Sequence, residues 1–228
     1  MSGTTIEMLV WRQQSVDSEG RWDSFDVDAA DSPSVLDALR AINESPVLRG
    51  GGKAEPIALD GEGDFGVNVN GSPVRAAEAR IDGSEEVVVV EPLSVFPVLK
   101  DLRVDRSGFE RDLAEATGLA PEGFDAEGLV SDCVRCGLCM EACNDTTAGG
   151  EYVGPVVVHV LERSNRAAGG AEAQARRMDI LMGDRGVVHD RSTYSYETVC
   201  PDGVELVQSV GLAKRSSALQ WIREFFQN

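Results

Sequence analysis

The 228-residue chain is 42% hydrophobic and 26% charged, enough apolar content to bury cores in two modest domains. Its formal net charge of −18 comes from an acid excess in both halves, which argues against nucleic acid, whose phosphates would be repelled. No apolar run approaches the roughly 20 residues of a membrane helix and no charged-then-apolar signal opens the chain, so a cytoplasmic-type polypeptide is expected, with any membrane contact made through partners.

Residues 6–11 (IEMLVW) predict a first strand, and residues 21–27 (RWDSFDV) place Phe25 and Val27 on one face with Ser24 and Asp26 on the other, as a partner strand would. Turn chemistry at Asp17, Ser18, Glu19 and Gly20 joins them as a hairpin. Asp31, Ser32 and Pro33 are expected to cap a helix whose stripe is Val35, Leu36, Leu39 and Ile42. A glycine-rich stretch at 50–63 precedes strands at 65–70, ahead of the Asn70-Gly71 turn, and at 86–91. This order predicts a small α+β unit of the β-grasp kind. Beyond Lys100 the pattern turns helical: 105–116, a segment after Pro121, 156–163 opened by Pro155, 171–182, and 204–226. The last carries Val207, Val210, Leu219, Trp221, Ile222 and Phe225 at helical spacing; its aromatic end is expected to pack on its own domain, the alternative being a docking face for a partner. The domain boundary is predicted within 95–105, giving domains 1–99 and 100–228.

The most specific signal is the run DCVRCGLCMEAC at 132–143, whose cysteines are spaced C-x2-C-x2-C-x3-C. This is ferredoxin-type spacing, in which three thiolates wrap one iron–sulfur cube and a fourth comes from elsewhere, often followed by proline. Cys200, followed by Pro201, is the remote candidate, so Cys133, Cys136, Cys139 and Cys200 make one four-cysteine site for a [4Fe–4S] cluster. Two-residue spacers let successive sulfurs face one centre, and Gly137 supplies the backbone freedom for so tight a turn. Zinc also takes four cysteines, but usually as two C-x2-C pairs, and a secreted disulfide framework fits five cysteines in this spacing less well still. Cys143 is left over, as a buried thiol, a fallback ligand or a redox-reactive group; the buried thiol is the expected reading. His159 and His189 are each expected to be satisfied core or surface residues. No phosphate-cradling glycine loop, nucleophile elbow or paired metal-binding histidines occur.

The order of these parts resembles the iron–sulfur subunit of succinate dehydrogenase and fumarate reductase. The likeness runs through Ile6-Glu7-Met8-Leu9-Val10-Trp11-Arg12-Gln13, Asn68-Val69-Asn70-Gly71, Glu91-Pro92, the junction from Phe96 to Arg106, the cysteine run and Cys200-Pro201. It implies an N-terminal β-grasp ferredoxin-like domain followed by an all-helical ferredoxin-like C-terminal domain. It also implies electron relay between a flavoprotein (FAD) subunit and a quinone at the membrane, with no small-molecule substrate bound by this subunit itself. A peripheral place on the inner face of the cytoplasmic membrane, through partner subunits that include an anchor, follows from the same resemblance.

Two departures from the family pattern stand out. The N-domain [2Fe–2S] ligand positions fall near Ile57, Glu62, Phe65 and Ala77, and none is a thiolate. The [3Fe–4S] set retains Cys143, but its other positions fall near Asp190 and Tyr196, and Asn144 replaces the proline usual after that cysteine, which puts the quinone site in doubt. Five cysteines suffice for one cubane and not for three clusters. The expected function is therefore electron transfer through a single [4Fe–4S] cluster. The alternative is a structural or assembly subunit in which the cluster, or a zinc, only stabilises the C-domain.

Overall fold

The computed structural model describes residues 5–61, 63–118, 133–146, 151–167, 170–191 and 194–227. They fall into two compact units, Met1–Asp105 with Cys136–Leu138, and Arg106–Arg135 with Cys139–Asn228.

In the first unit, Ile6, Met8 and Val10 alternate with half-exposed neighbours along β1 (Thr5–Arg12), so that one face of the strand is buried. β1 pairs antiparallel with β2 (Arg21–Asp28) and parallel with β5 (Val87–Glu91). β3 (Gly66–Val69) joins β5 and β4 (Ser72–Arg75), giving the order β2-β1-β5-β3-β4. β4 sits at the sheet edge, the place where a strand tolerates Pro73. A second pair, β6 (Val98–Lys100) and β7 (Arg103–Val104), lies at the junction.

The helix α1 (Val35–Glu44) buries Val35, Leu36, Ala38, Leu39 and Ile42 in the core that holds the inward residues of β1 and β2. Its cap differs from the expectation. Ser34, not Asp31 or Ser32, is the N-cap: its hydroxyl accepts from the Asp37 amide at 3.0 Å while the Asp37 carboxylate takes the Ser34 amide at 3.3 Å. This reciprocal pair satisfies two donors at once, whereas a start at Ser32 would lack the acidic partner three residues on.

The described part of the second unit holds helices and no strand. α2 (Ser107–Thr117) ends at Gly118, in the left-handed conformation that suits a C-cap. The short α3 (Leu138–Glu141) follows the cysteine loop, and α4 (Pro155–Arg166), started by Pro155, is buried along most of its length against α2, α5 (Ala171–Met182) and α6 (Leu206–Gln227). The segment expected after Pro121 lies outside the described residues.

The end of α6 overturns an expectation. Leu206, Ser209, Val210, Ala213 and Ser217 are buried, but Trp221, Ile222, Phe225 and Phe226 are exposed, by 61%, 44%, 66% and 80%. Small side chains at 209, 213 and 217 form the buried stripe, which stops at Ser217. The aromatic cluster, with Trp221 stacked on Phe225 at 5.7 Å, does not enter the core.

Candidate metal centre

The cysteine loop is shaped by two residues in the left-handed region, Arg135 at φ +56° and Gly137 at φ +84°. Alternating hand in this way turns successive backbone N–H groups toward one side, a concavity that binds anions and iron–sulfur sulfurs. The Arg135 amide donates to Cys133 Sγ at 3.4 Å, and the Arg106 guanidinium holds the Arg135 carbonyl at 2.8 Å. Gly137 is needed twice, since beyond its positive φ a Cβ there would lie 2.7 Å from the Phe96 ring. Downstream, Cys200 accepts the Val204 amide on its sulfur at 3.4 Å, in the turn that leads through Pro201 and Gly203 toward α6.

Cys133, Cys136 and Cys200 are half-buried, Cys139 and Cys143 buried, and no disulfide joins the five. Cys136 packs with the first unit, where its carbonyl lies so close to Gly66 that a Cβ on that glycine would approach it to 2.6 Å; Cys133, Cys139 and Cys200 belong to the second. The donor chemistry fits an iron–sulfur group: three cysteines at ferredoxin spacing and a remote Cys-Pro, with Cys133 and Cys200 each already accepting a backbone N–H bond of the kind that stabilises bound thiolates.

The positions tied to the other two clusters are filled differently. Ile57 and Phe65 are core residues, each 3% exposed, and Ala77 packs against the same core; Glu62 lies outside the described residues. The glycine-rich loop is pinned by polar bonds: Asn43 donates to the Ile57 carbonyl at 2.8 Å and accepts the Ile57 amide at 2.6 Å. Arg12, 1% exposed at the last inward position of β1, donates to the Glu55 carbonyl at 3.0 Å and pairs with Asp23 at 2.8 Å and Asp101 at 3.1 Å. Asp101 in turn accepts the Ala58 amide at 3.0 Å. This buried clamp has one sign in the sequence, a charged residue where strand alternation calls for an apolar one.

Near Cys143, the Tyr196 hydroxyl donates to Asp190 at 3.1 Å, and Lys214 donates to the other oxygen of that carboxylate at 2.6 Å. His159 is a core residue bonded to the Ser209 hydroxyl at 2.7 Å, and His189 lies 3.6 Å from the Glu151 carboxylate.

Residues 7–111 match the family model described as a 2Fe-2S iron-sulfur cluster binding domain. The chain is 28% identical to the succinate dehydrogenase iron-sulfur subunit of Bacillus subtilis (strain 168), covering 97% of this chain and 96% of that one. It is 26% identical to the fumarate reductase iron-sulfur subunit of Haemophilus influenzae, over 95% and 94% of the two. Over nearly its whole length the chain is similar to iron–sulfur subunits of succinate dehydrogenase and fumarate reductase. The fold agrees with a chain of the Mycobacterium smegmatis Sdh1 complex in the apo form, at TM-score 0.73, 19% identity and coverage of 96% and 98%. The chain departs from that model's description. Residues 7–111 contain no cysteine and no histidine, and the described positions near the expected ligands carry hydrocarbon, so they do not fit a [2Fe–2S] group.

Proposed function

We propose that the chain is the electron-transfer subunit of a succinate dehydrogenase/fumarate reductase-type complex, with a single [4Fe–4S] cluster on Cys133, Cys136, Cys139 and Cys200. The observation that carries this is the nest-like cysteine loop, left-handed at 135 and 137, whose Arg135 N–H meets the Cys133 sulfur, together with the Val204 N–H on the sulfur of Cys200. When bound, such a cluster takes up and gives out one electron at a time. The chain's own part is to hold four thiolates, to temper their charge with amide N–H groups and to limit water through the burial of Cys139. The donor or acceptor in this reading is a flavoprotein subunit, and membrane association is through partner subunits, as in the complexes this chain resembles; no helix among the described residues is long and apolar enough to cross a membrane. We read the first unit as a β-grasp ferredoxin-like domain, on the parallel β1/β5 pair beneath α1, now serving for docking rather than for a cluster.

A second reading has an observation in its favour. The filling of the positions near both other ligand sets, by Ile57 and Phe65 on one side and by Asp190 and Tyr196 on the other, interrupts a relay. The chain would then be a structural or assembly subunit whose cluster only braces the second unit. Cys136→Ser in the assembled complex separates the two. The relay reading requires loss of electron flux from the flavoprotein with the subunit still incorporated; unchanged flux with an unfolded second unit establishes the structural one.

A further inference from the structure

Cys143, at the exit of α3, Asp145 two residues on, and Asp190, after the short 3-10 turn Val187–His189, bring their ligand atoms within 4.8 Å of one another. Their side chains are deeply buried: Cys143 is 1% exposed, and the side chains of Asp145 and Asp190 are 4% and 0% exposed, although the Asp145 residue as a whole is half-buried. The carboxylates are already oriented. Asp145 accepts the Arg191 amide at 2.7 Å, and Asp190 accepts from Tyr196 and Lys214 on separate oxygens. Each carboxylate oxygen has two lone pairs, so these bonds leave capacity for a ligand while fixing the groups as outer-shell partners fix a metal site.

Charge points the same way. Arg191 pairs with Asp145 at 3.4 Å but is 85% exposed at its side chain and screened by water, so among the described residues Lys214 is the better shielded cation set against the two buried carboxylates. A divalent cation that displaces the Cys143 proton to solvent brings this interior to neutrality: two carboxylates and a thiolate against Lys214 and the ion. An independent sign is Tyr152. It is 2% exposed, and its hydroxyl finds no hydrogen-bond partner among the described residues although it lies in the field of Asp190, Cys143, Tyr196 and Asp145. The Thr146 hydroxyl, beside the Cys143 thiol, is likewise buried without a well-formed bond. Buried hydroxyls left this way are costly unless a further species meets them.

We propose that Cys143, Asp145 and Asp190 bind one divalent cation of the zinc type, with the Tyr152 hydroxyl bonded to a water that completes the coordination. The mixed sulfur and oxygen donors favour a borderline ion over magnesium or calcium, which avoid thiolate. The site uses none of Cys133, Cys136, Cys139 or Cys200, so it stands or falls apart from the proposed cluster.

The test is titration of the anaerobically purified full chain with cobalt(II), a coloured stand-in for zinc. One equivalent should produce a sulfur-to-cobalt charge-transfer absorption, reversed by zinc, absent in Cys143→Ser and weakened about tenfold or more in affinity in Asp145→Asn. An absorption that persists in Cys143→Ser, or no such absorption in the unaltered chain, overturns the proposal. Should Cys143→Ser fail to fold, unchanged cobalt affinity in Asp145→Asn overturns it equally.

Discussion

Arg12 and Asp101 show how single residues hold the first unit in place of a cluster. Asp101 is fully buried, sits at φ +50°, and its carboxylate binds Arg12, the Gln13 amide and the Ala58 amide. Asp101→Ala strands part of the charge on Arg12 and is expected to cost about 3–5 kcal/mol, read by denaturant unfolding of the full chain; a loss below about 1 kcal/mol contradicts the clamp. Both residues sit in stretches that carry the family resemblance, yet nothing in a linear pattern pairs groups 89 positions apart. Gly137, by contrast, was legible, because two-residue spacers demand a turn that only glycine makes cheaply. Gly137→Ala adds roughly 1–2 kcal/mol of backbone strain and a clash with Phe96, and should lower iron content per chain; Arg135→Gly, which relieves strain, should keep it.

Among the elements, α1 and α6 respond in opposite ways. Ser34→Ala removes the cap of α1 and should cost about 1 kcal/mol. The Ser34 hydroxyl and amide hold the Asp37 carboxyl below its ordinary value, so the stability this pair adds is present above the unfolded-state pKa and is lost as pH falls through the folded one. In Ser34→Ala the Asp37 pKa should rise, as carbon-detected NMR titration would show; no movement rules the linkage out. In α6, Leu206→Ala should cost about 2–5 kcal/mol because Leu206 is fully buried, whereas Trp221→Ala should change stability by no more than about 0.5 kcal/mol. A large loss at Trp221 in thermal or denaturant unfolding would mean that the aromatic end is packed after all. The periodicity of 204–226 announced the helix but not which half is covered, since helical spacing reports a face and not the extent of its partner. Strands β1, β2, β3 and β5 and helices α2, α4 and α5 were readable from alternation, spacing and Pro155; β4, β6 and β7 were not, being short and, in β4, interrupted by Pro73.

Across the chain as a whole, the fold of its relatives is kept while the positions that align with their further cluster ligands are given over to other residues. The sequence made the missing cysteines plain. It did not reveal what took their place: hydrocarbon at Ile57 and Phe65 beside a polar clamp, and an Asp190–Tyr196–Lys214 network beside Cys143, since each is assembled from residues distant along the chain. Iron and acid-labile sulfide measured on the anaerobically purified full chain decide whether the protein carries one cubane and no other cluster. About four of each per chain are expected, falling together in Cys200→Ser; zinc without sulfide, or iron and sulfide unchanged by Cys200→Ser, would rule the single cubane out.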